Sequence, residues 1–72
     1  MVRSFMLEIT MNGSLRQYES PLSVAALLES EGLTGKRVAV ECNGVIVPKS
    51  QHAETLLAAG DRLEIVVAVG GG

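Results

Sequence analysis

Phe5, Leu7, Ile9 and Met11 alternate with Met6, Glu8 and Thr10, the two-residue period of a strand that buries one face. Asn12-Gly13 follows, a pair that accepts the positive φ values of a tight turn, and Ser14 to Tyr18 reads as the returning strand. The chain therefore opens on a predicted β-hairpin. Pro21 ends the second strand, and Ser23 is placed to accept a hydrogen bond from the free amides of a helix starting at Val24. Val24, Leu27 and Leu28 share one helical face, and Glu29 and Glu31 are expected toward solvent. Gly32 supplies a left-handed residue that stops the helix, with Leu33 folding back over its last turn.

Val38, Val40 and Cys42 restore the strand period, Asn43-Gly44 gives a second hairpin signal, and Val45-Ile46-Val47 makes a short return closed by Pro48. A loop or single helical turn is expected around Ser50 to Leu57. Gly60-Asp61 then makes a last turn before a final strand from Arg62 to Val69. On that strand Leu63, Ile65, Val67 and Val69 face one way, toward the core, while Val66 and Ala68 face the other. With one helix available, the sheet must set one face against it and leave the other open. A right-handed crossover through the helix brings later strands in beside the first. The expected architecture is an α+β, β-grasp domain: a mixed sheet of four to five strands on one main helix, over residues 1–69, followed by a glycine tail at 70–72. Met6 is itself a candidate initiator, which makes the first five residues an extension of little consequence.

The 72 residues suffice for one domain with a single core and leave little surface for an enclosed pocket, which argues against a self-contained enzyme. A net charge of −2, with Phe5 and Tyr18 the only aromatics and no Trp, supplies neither the basic footprint nor the stacking platforms of a nucleic-acid binder. The N-terminus lacks the apolar run and cleavage site of a secretory signal, and the longest wholly apolar stretch, Ile65 to Val69, is too short for a bilayer. A cytoplasmic protein is expected. The single cysteine agrees with a reducing compartment. Asn12-Gly13-Ser14 matches a glycosylation sequon, but without a secretion signal the hairpin turn is the better reading.

Candidate chemistry concentrates at Gly70, Gly71 and Gly72. Glycines bury no side chain and are costly to order, so they add nothing to the core. Extended, the three reach roughly 10 Å past the last strand, and backbone without Cβ enters a channel too narrow for other residues. Read as the end of the chain, Gly72 carries a free carboxylate, ionised because its pKa lies near about 3.5. A carboxylate is a poor electrophile and requires activation. Joining it to AMP from ATP gives a mixed anhydride, from which a sulfur nucleophile displaces AMP to leave a thiocarboxylate.

The chain lacks the means to do this alone. Gly35-Lys36 superficially matches the end of a phosphate loop, but Arg37 replaces the required Ser or Thr and Ser30 stands where the first Gly belongs. ATP is therefore expected to be used by a partner, with no cofactor bound here. Cys42, in register with Val38 and Val40, reads as a core residue. His52, in a polar loop, has too few companions for a zinc site or a catalytic triad, so neither metal nor catalytic residues are assigned. Val66 and Ala68, next to the tail, make an apolar docking surface the expectation for the open face.

In this order and spacing, ITMNG (Ile9 to Gly13), SVAALL (Ser23 to Leu28), VAVECNGVIVP (Val38 to Pro48) and GDRLEIVVAVGGG (Gly60 to Gly72) cover nearly the whole chain. The pattern resembles the ThiS family, ubiquitin-like sulfur carriers of thiamin biosynthesis ending in Gly-Gly. The resemblance implies that an E1-like adenylyltransferase activates Gly72, that a cysteine desulfurase or other donor supplies sulfur, and that thiazole synthase consumes the thiocarboxylate. Gly71 and Gly72 match the terminal pair, and Gly70 is an extra glycine. The same fold and tail also resemble the small subunit of molybdopterin synthase and carriers for cysteine synthesis or tRNA thiolation, although this chain is shorter than the usual molybdopterin subunit. A ubiquitin-like conjugation tag or plain binding module is the alternative of a different class.

Overall fold

The computed structural model describes residues 5–68. The expected inward position of Val69 and the tail Gly70, Gly71 and Gly72 lie outside the described residues. Strand β1 (Phe5–Met11) and strand β2 (Ser14–Ser20) form the opening hairpin, and α1 spans Val24–Ser30. Strands β3 (Val38–Cys42) and β4 (Val45–Ile46) form the second hairpin; a 3-10 turn at Lys49–Gln51 then leads toward β5 (Arg62–Val67). The sheet order is β2-β1-β5-β3-β4, with β1 and β5 parallel and the other neighbours antiparallel. This is the expected α+β arrangement, and it sets the last strand at the centre of the sheet. Two hairpins close at Asn12-Gly13 and Asn43-Gly44, where Asn12 and Asn43 take φ values of 50° and 54°, the left-handed region for which asparagine and glycine are suited.

The helix starts as its sequence dictates: the Ser23 hydroxyl accepts the Ala26 N–H at 3.0 Å. It ends at Gly32, whose φ of 72° turns the chain so that Leu33 N–H reaches the Leu28 carbonyl at 2.8 Å. Val24, Leu27 and Leu28 then face Leu7, Ile9 and Met11 of β1, Val40 of β3, and Leu63 and Ile65 of β5. Leu22, Val47 and Leu57 close the rim from the connections. Each such aliphatic side chain contributes about 1.5–3 kcal/mol on burial, so this one layer holds the fold.

Several inward expectations change at the edges of that layer. Val67 alternates correctly yet is 38% exposed. A seven-residue helix is only about 10 Å long and does not extend over the last pair, Val38 and Val67. Cys42 lies against the core but is only partly buried, because its neighbour across the edge, Val45 of the two-residue β4, is itself 68% exposed. Burial, with a contribution from nearby Asp61, raises the Cys42 thiol pKa. Val47, read as part of the return strand, lies beyond β4 with its N–H bonded to the Val40 carbonyl.

Glu31, expected in solvent, is half-buried and binds β2. Its carboxylate accepts the Tyr18 hydroxyl at 2.9 Å and pairs with Arg16 at 3.3 Å. His52, expected in a polar loop, is 7% exposed. The 3-10 turn folds it inward, where Nε2 lies 3.0 Å from the Val47 carbonyl, while its own carbonyl accepts the Ala25 N–H. Leu57 N–H to the Leu22 carbonyl and Val24 N–H to the Thr55 carbonyl complete the tie between this connection and the helix start.

Candidate functional site

Among the described residues, no helix lies over the second face of the sheet. By alternation and register it presents Met6 and Glu8 from β1, Ala39 and Glu41 from β3, Ile46 from β4, and Arg62, Glu64 and Val66 from β5. Val66 is 63% exposed and lies directly opposite Ala39. With Ala68 they floor a shallow groove of about 360 Å³ whose rim carries Lys36, Arg37 and Lys49. The chain leaves this groove toward residues 69–72. Three cations around a small apolar floor give this corner a positive potential in a chain whose net charge is −2.

The opposite end of the same face differs. There Glu41 of β3 stands directly across from Glu64 of β5, beside Arg62, Asn43 and Gly44, in a larger polar hollow of about 470 Å³. This hollow lies along the first half of β5: its Arg62 and Glu64 are about 20 Å and 13 Å of strand away from Ala68. The groove at Ala39, Val66 and Ala68 contains the last described residue and is the more apolar of the two. Sequence reasoning singled out Val66 and Ala68 but missed Ala39 and the three cations. The alternation of Val38-Ala39-Val40 assigns Ala39 to the open face, but only the register places it beside Val66.

The two asparagines read as turn residues also reach β5. Asn43 accepts the Arg62 N–H on Oδ1 at 3.0 Å and donates from Nδ2 to Asp61 at 3.0 Å. Asn12 accepts the Ile65 N–H on Oδ1 at 2.8 Å and donates from Nδ2 to the Ile65 carbonyl at 3.1 Å. Ala68 N–H to the Arg37 carbonyl, 2.9 Å, anchors the last described residue. Cys42 and His52, the two residues with intrinsic reactivity, do not come together with the groove: Cys42 pairs with Leu63 at the start of β5, on the helix side, and His52 is buried between Val47 and the helix start. Among the described residues, no three His, Cys, Asp or Glu side chains form a metal-binding group, and no helix is long and apolar enough to cross a membrane.

Comparison with known proteins agrees with this architecture. The chain is 42% identical over 66 residues to a thiazole synthase of Paramagnetospirillum magneticum, covering 92% of this chain and 20% of that protein. It therefore spans about a fifth of that relative's length. An uncharacterized protein ycf40 of Pyropia yezoensis is 35% identical over 92% of this chain and 93% of its own length. Among solved structures, the thiamine biosynthesis protein ThiS of Geobacter metallireducens superposes with a TM-score of 0.77 at 28% identity, over 92% of this chain and all of that one. The model of the ThiS family matches residues 9–72, from the middle of β1 through the glycine tail. Sheet order, helix and sequence match thus agree, and the chain belongs to the ThiS family.

Proposed function

We propose that this chain is a sulfur carrier of thiamin biosynthesis whose Gly72 is adenylated, converted to a thiocarboxylate and used as the sulfur source for the thiazole ring. The observation that carries the reading is the family match, which runs through β5 and continues to Gly72. In the first step the Gly72 carboxylate oxygen attacks the α-phosphate of ATP, a phosphoanhydride bond breaks, and pyrophosphate leaves. In the second, a sulfur nucleophile attacks the glycyl carbonyl, the new C–S bond replaces the C–O bond to phosphate, and AMP leaves. Hydrosulfide gives the thiocarboxylate directly, whereas a donor persulfide gives an acyl disulfide whose S–S bond a thiol reductant then cleaves, forming a disulfide and releasing the thiocarboxylate. The chain is a protein cosubstrate throughout: an E1-like adenylyltransferase supplies the ATP site, and a cysteine desulfurase or another donor supplies sulfur.

Thiazole synthase is the proposed acceptor. Support comes from the thiazole synthase of P. magneticum, a fifth of which is similar to this chain. The groove around Ala39, Val66 and Ala68 serves as the docking surface, its apolar floor excluding water and its cations favouring a partner with a carboxylate rim. Gly70 and Gly71 carry the reacting end through the partner's channel, since residues without Cβ present the narrowest chain. Incubation with ATP and an E1-like adenylyltransferase, trapping the acyl adenylate with hydroxylamine, tests the first step. A hydroxamate confined to Gly72 is expected, and its absence with an active enzyme would overturn the reading. Attachment of the chain to lysines instead would establish a conjugation tag.

A further inference from the structure

We propose that Asn12 is a positioning residue that aims the tail, its side-chain amide replacing the strand that β5 lacks on one side; the aiming role rests on the carrier reading above. Strand β1 ends at Met11, which pairs with Leu63, whereas β5 runs on to Val67. From Glu64 onward β5 has β3 on one side and, among the described residues, no strand on the other. Asn12 fills the first step of that gap. Its Oδ1 and Nδ2 make with Ile65 the two bonds that a neighbouring backbone would make, at 2.8 Å and 3.1 Å, across 53 residues of chain. The φ of 50° at Asn12 turns the backbone away into the hairpin while the side chain stays on β5.

The consequence is mechanical. With Asn12 in place, the Ile65 N–H and carbonyl, which point away from β3, are both bonded by the amide, while the flanking Glu64 and Val66 pair with Glu41 and Ala39 of β3. Without it, Ile65 to Ala68 become an edge held by β3 and by the single bond from Ala68 to Arg37, the situation in which strands fray. Gly72 follows Ala68 by four residues, so the segment that Asn12 steadies is the one that leads to the reacting end. A reacting atom displaced by about 1 Å loses up to about a hundredfold in rate. Asn43 is the internal control. It shares the left-handed φ, but its Oδ1 meets β5 only at the Arg62 N–H and its Nδ2 donates to the Asp61 carboxylate, both at the far end.

The test compares Asn12→Gly with Asn43→Gly. Glycine keeps the positive φ of each turn and removes only the side-chain bonds. Amide hydrogen exchange at Ile65 and Ala68 is expected to rise about tenfold in Asn12→Gly and to stay unchanged in Asn43→Gly. With the adenylyltransferase, Asn12→Gly is expected to lose about tenfold in kcat with KM within about twofold of the parent. Asn12→Asp, which keeps the acceptor and loses the donor, falls between, and Asn43→Gly matches the parent. Equal exchange in the two glycine variants, or full kcat in Asn12→Gly, would overturn the proposal. A parent chain that is never adenylated removes the carrier reading and the aiming role together, while the exchange comparison still decides whether Asn12 holds β5.

Discussion

The two faces of the five-stranded sheet are built from the same strands and do opposite work. On the helix side, Leu7, Ile9, Val40, Leu63 and Ile65 are buried against Val24, Leu27 and Leu28. On the other side, one residue along each strand, stand Met6, Glu8, Ala39, Glu41, Glu64 and Val66, of which Met6 and Val66 are more than 60% exposed. A period of two separates the residues that make the domain stable from those available to a partner. Stability and recognition can therefore be altered independently, and β5, like β1 and β3, contains both sets, in Leu63 and Ile65 against Glu64 and Val66.

Removing a core residue breaks the comparison on the stable side. Leu63→Ala leaves a cavity under α1, and a loss of about 2–5 kcal/mol is expected in denaturant unfolding. The outer face answers differently. Val66→Glu is expected to change unfolding stability by about 1 kcal/mol or less, while weakening association with the adenylyltransferase about tenfold or more, because a charge is then buried against the partner. Calorimetric titration checks the second number; unchanged association would place docking elsewhere.

A smaller effect is expected at the acidic end of the same face. Glu41 and Glu64 stand directly opposite each other, an arrangement that costs a sheet roughly 0.2–1 kcal/mol. Glu64→Gln should stabilise the domain by that amount and leave adenylation intact, since Glu64 lines the polar hollow and not the groove at Ala39, Val66 and Ala68.

The smallest effect is a pH dependence on the helix side. Burial first, and then the Glu31 carboxylate that accepts its hydrogen bond, raises the Tyr18 phenol above its ordinary pKa. A raised folded pKa means that the native state holds the proton more tightly, so this contribution is complete below the unfolded value and is lost as pH rises through the folded one. Alkaline titration should show tyrosinate forming later in the folded chain than in the unfolded one, and Tyr18→Phe should flatten the fall in stability above that pH.

Much of the fold was legible in the sequence because it is written in local signals. The alternation from Leu7 to Met11, the Ser23 cap, Gly32 and the two Asn-Gly turns all act over a few residues, and each stands where expected. The departures arise where the deciding contact is distant. Val67 alternates correctly but outruns a short helix, and His52 is drawn inward by a carbonyl and by the tie between its own turn and α1. The same holds for the site. Val66 and Ala68 were readable from the period of β5, whereas Ala39 beside Val66 and Asn12 on Ile65 depend on registers that no local pattern specifies.

The central claim is that this chain carries sulfur on Gly72. The most direct measurement is the intact mass of the chain after incubation with ATP, an E1-like adenylyltransferase, a cysteine desulfurase and cysteine, with fragmentation to locate any change. The account predicts a gain equal to the exchange of one oxygen for one sulfur, confined to Gly72 and lost when Gly72 is deleted. An unchanged mass with active enzymes, or sulfur found on Cys42 instead, would contradict it.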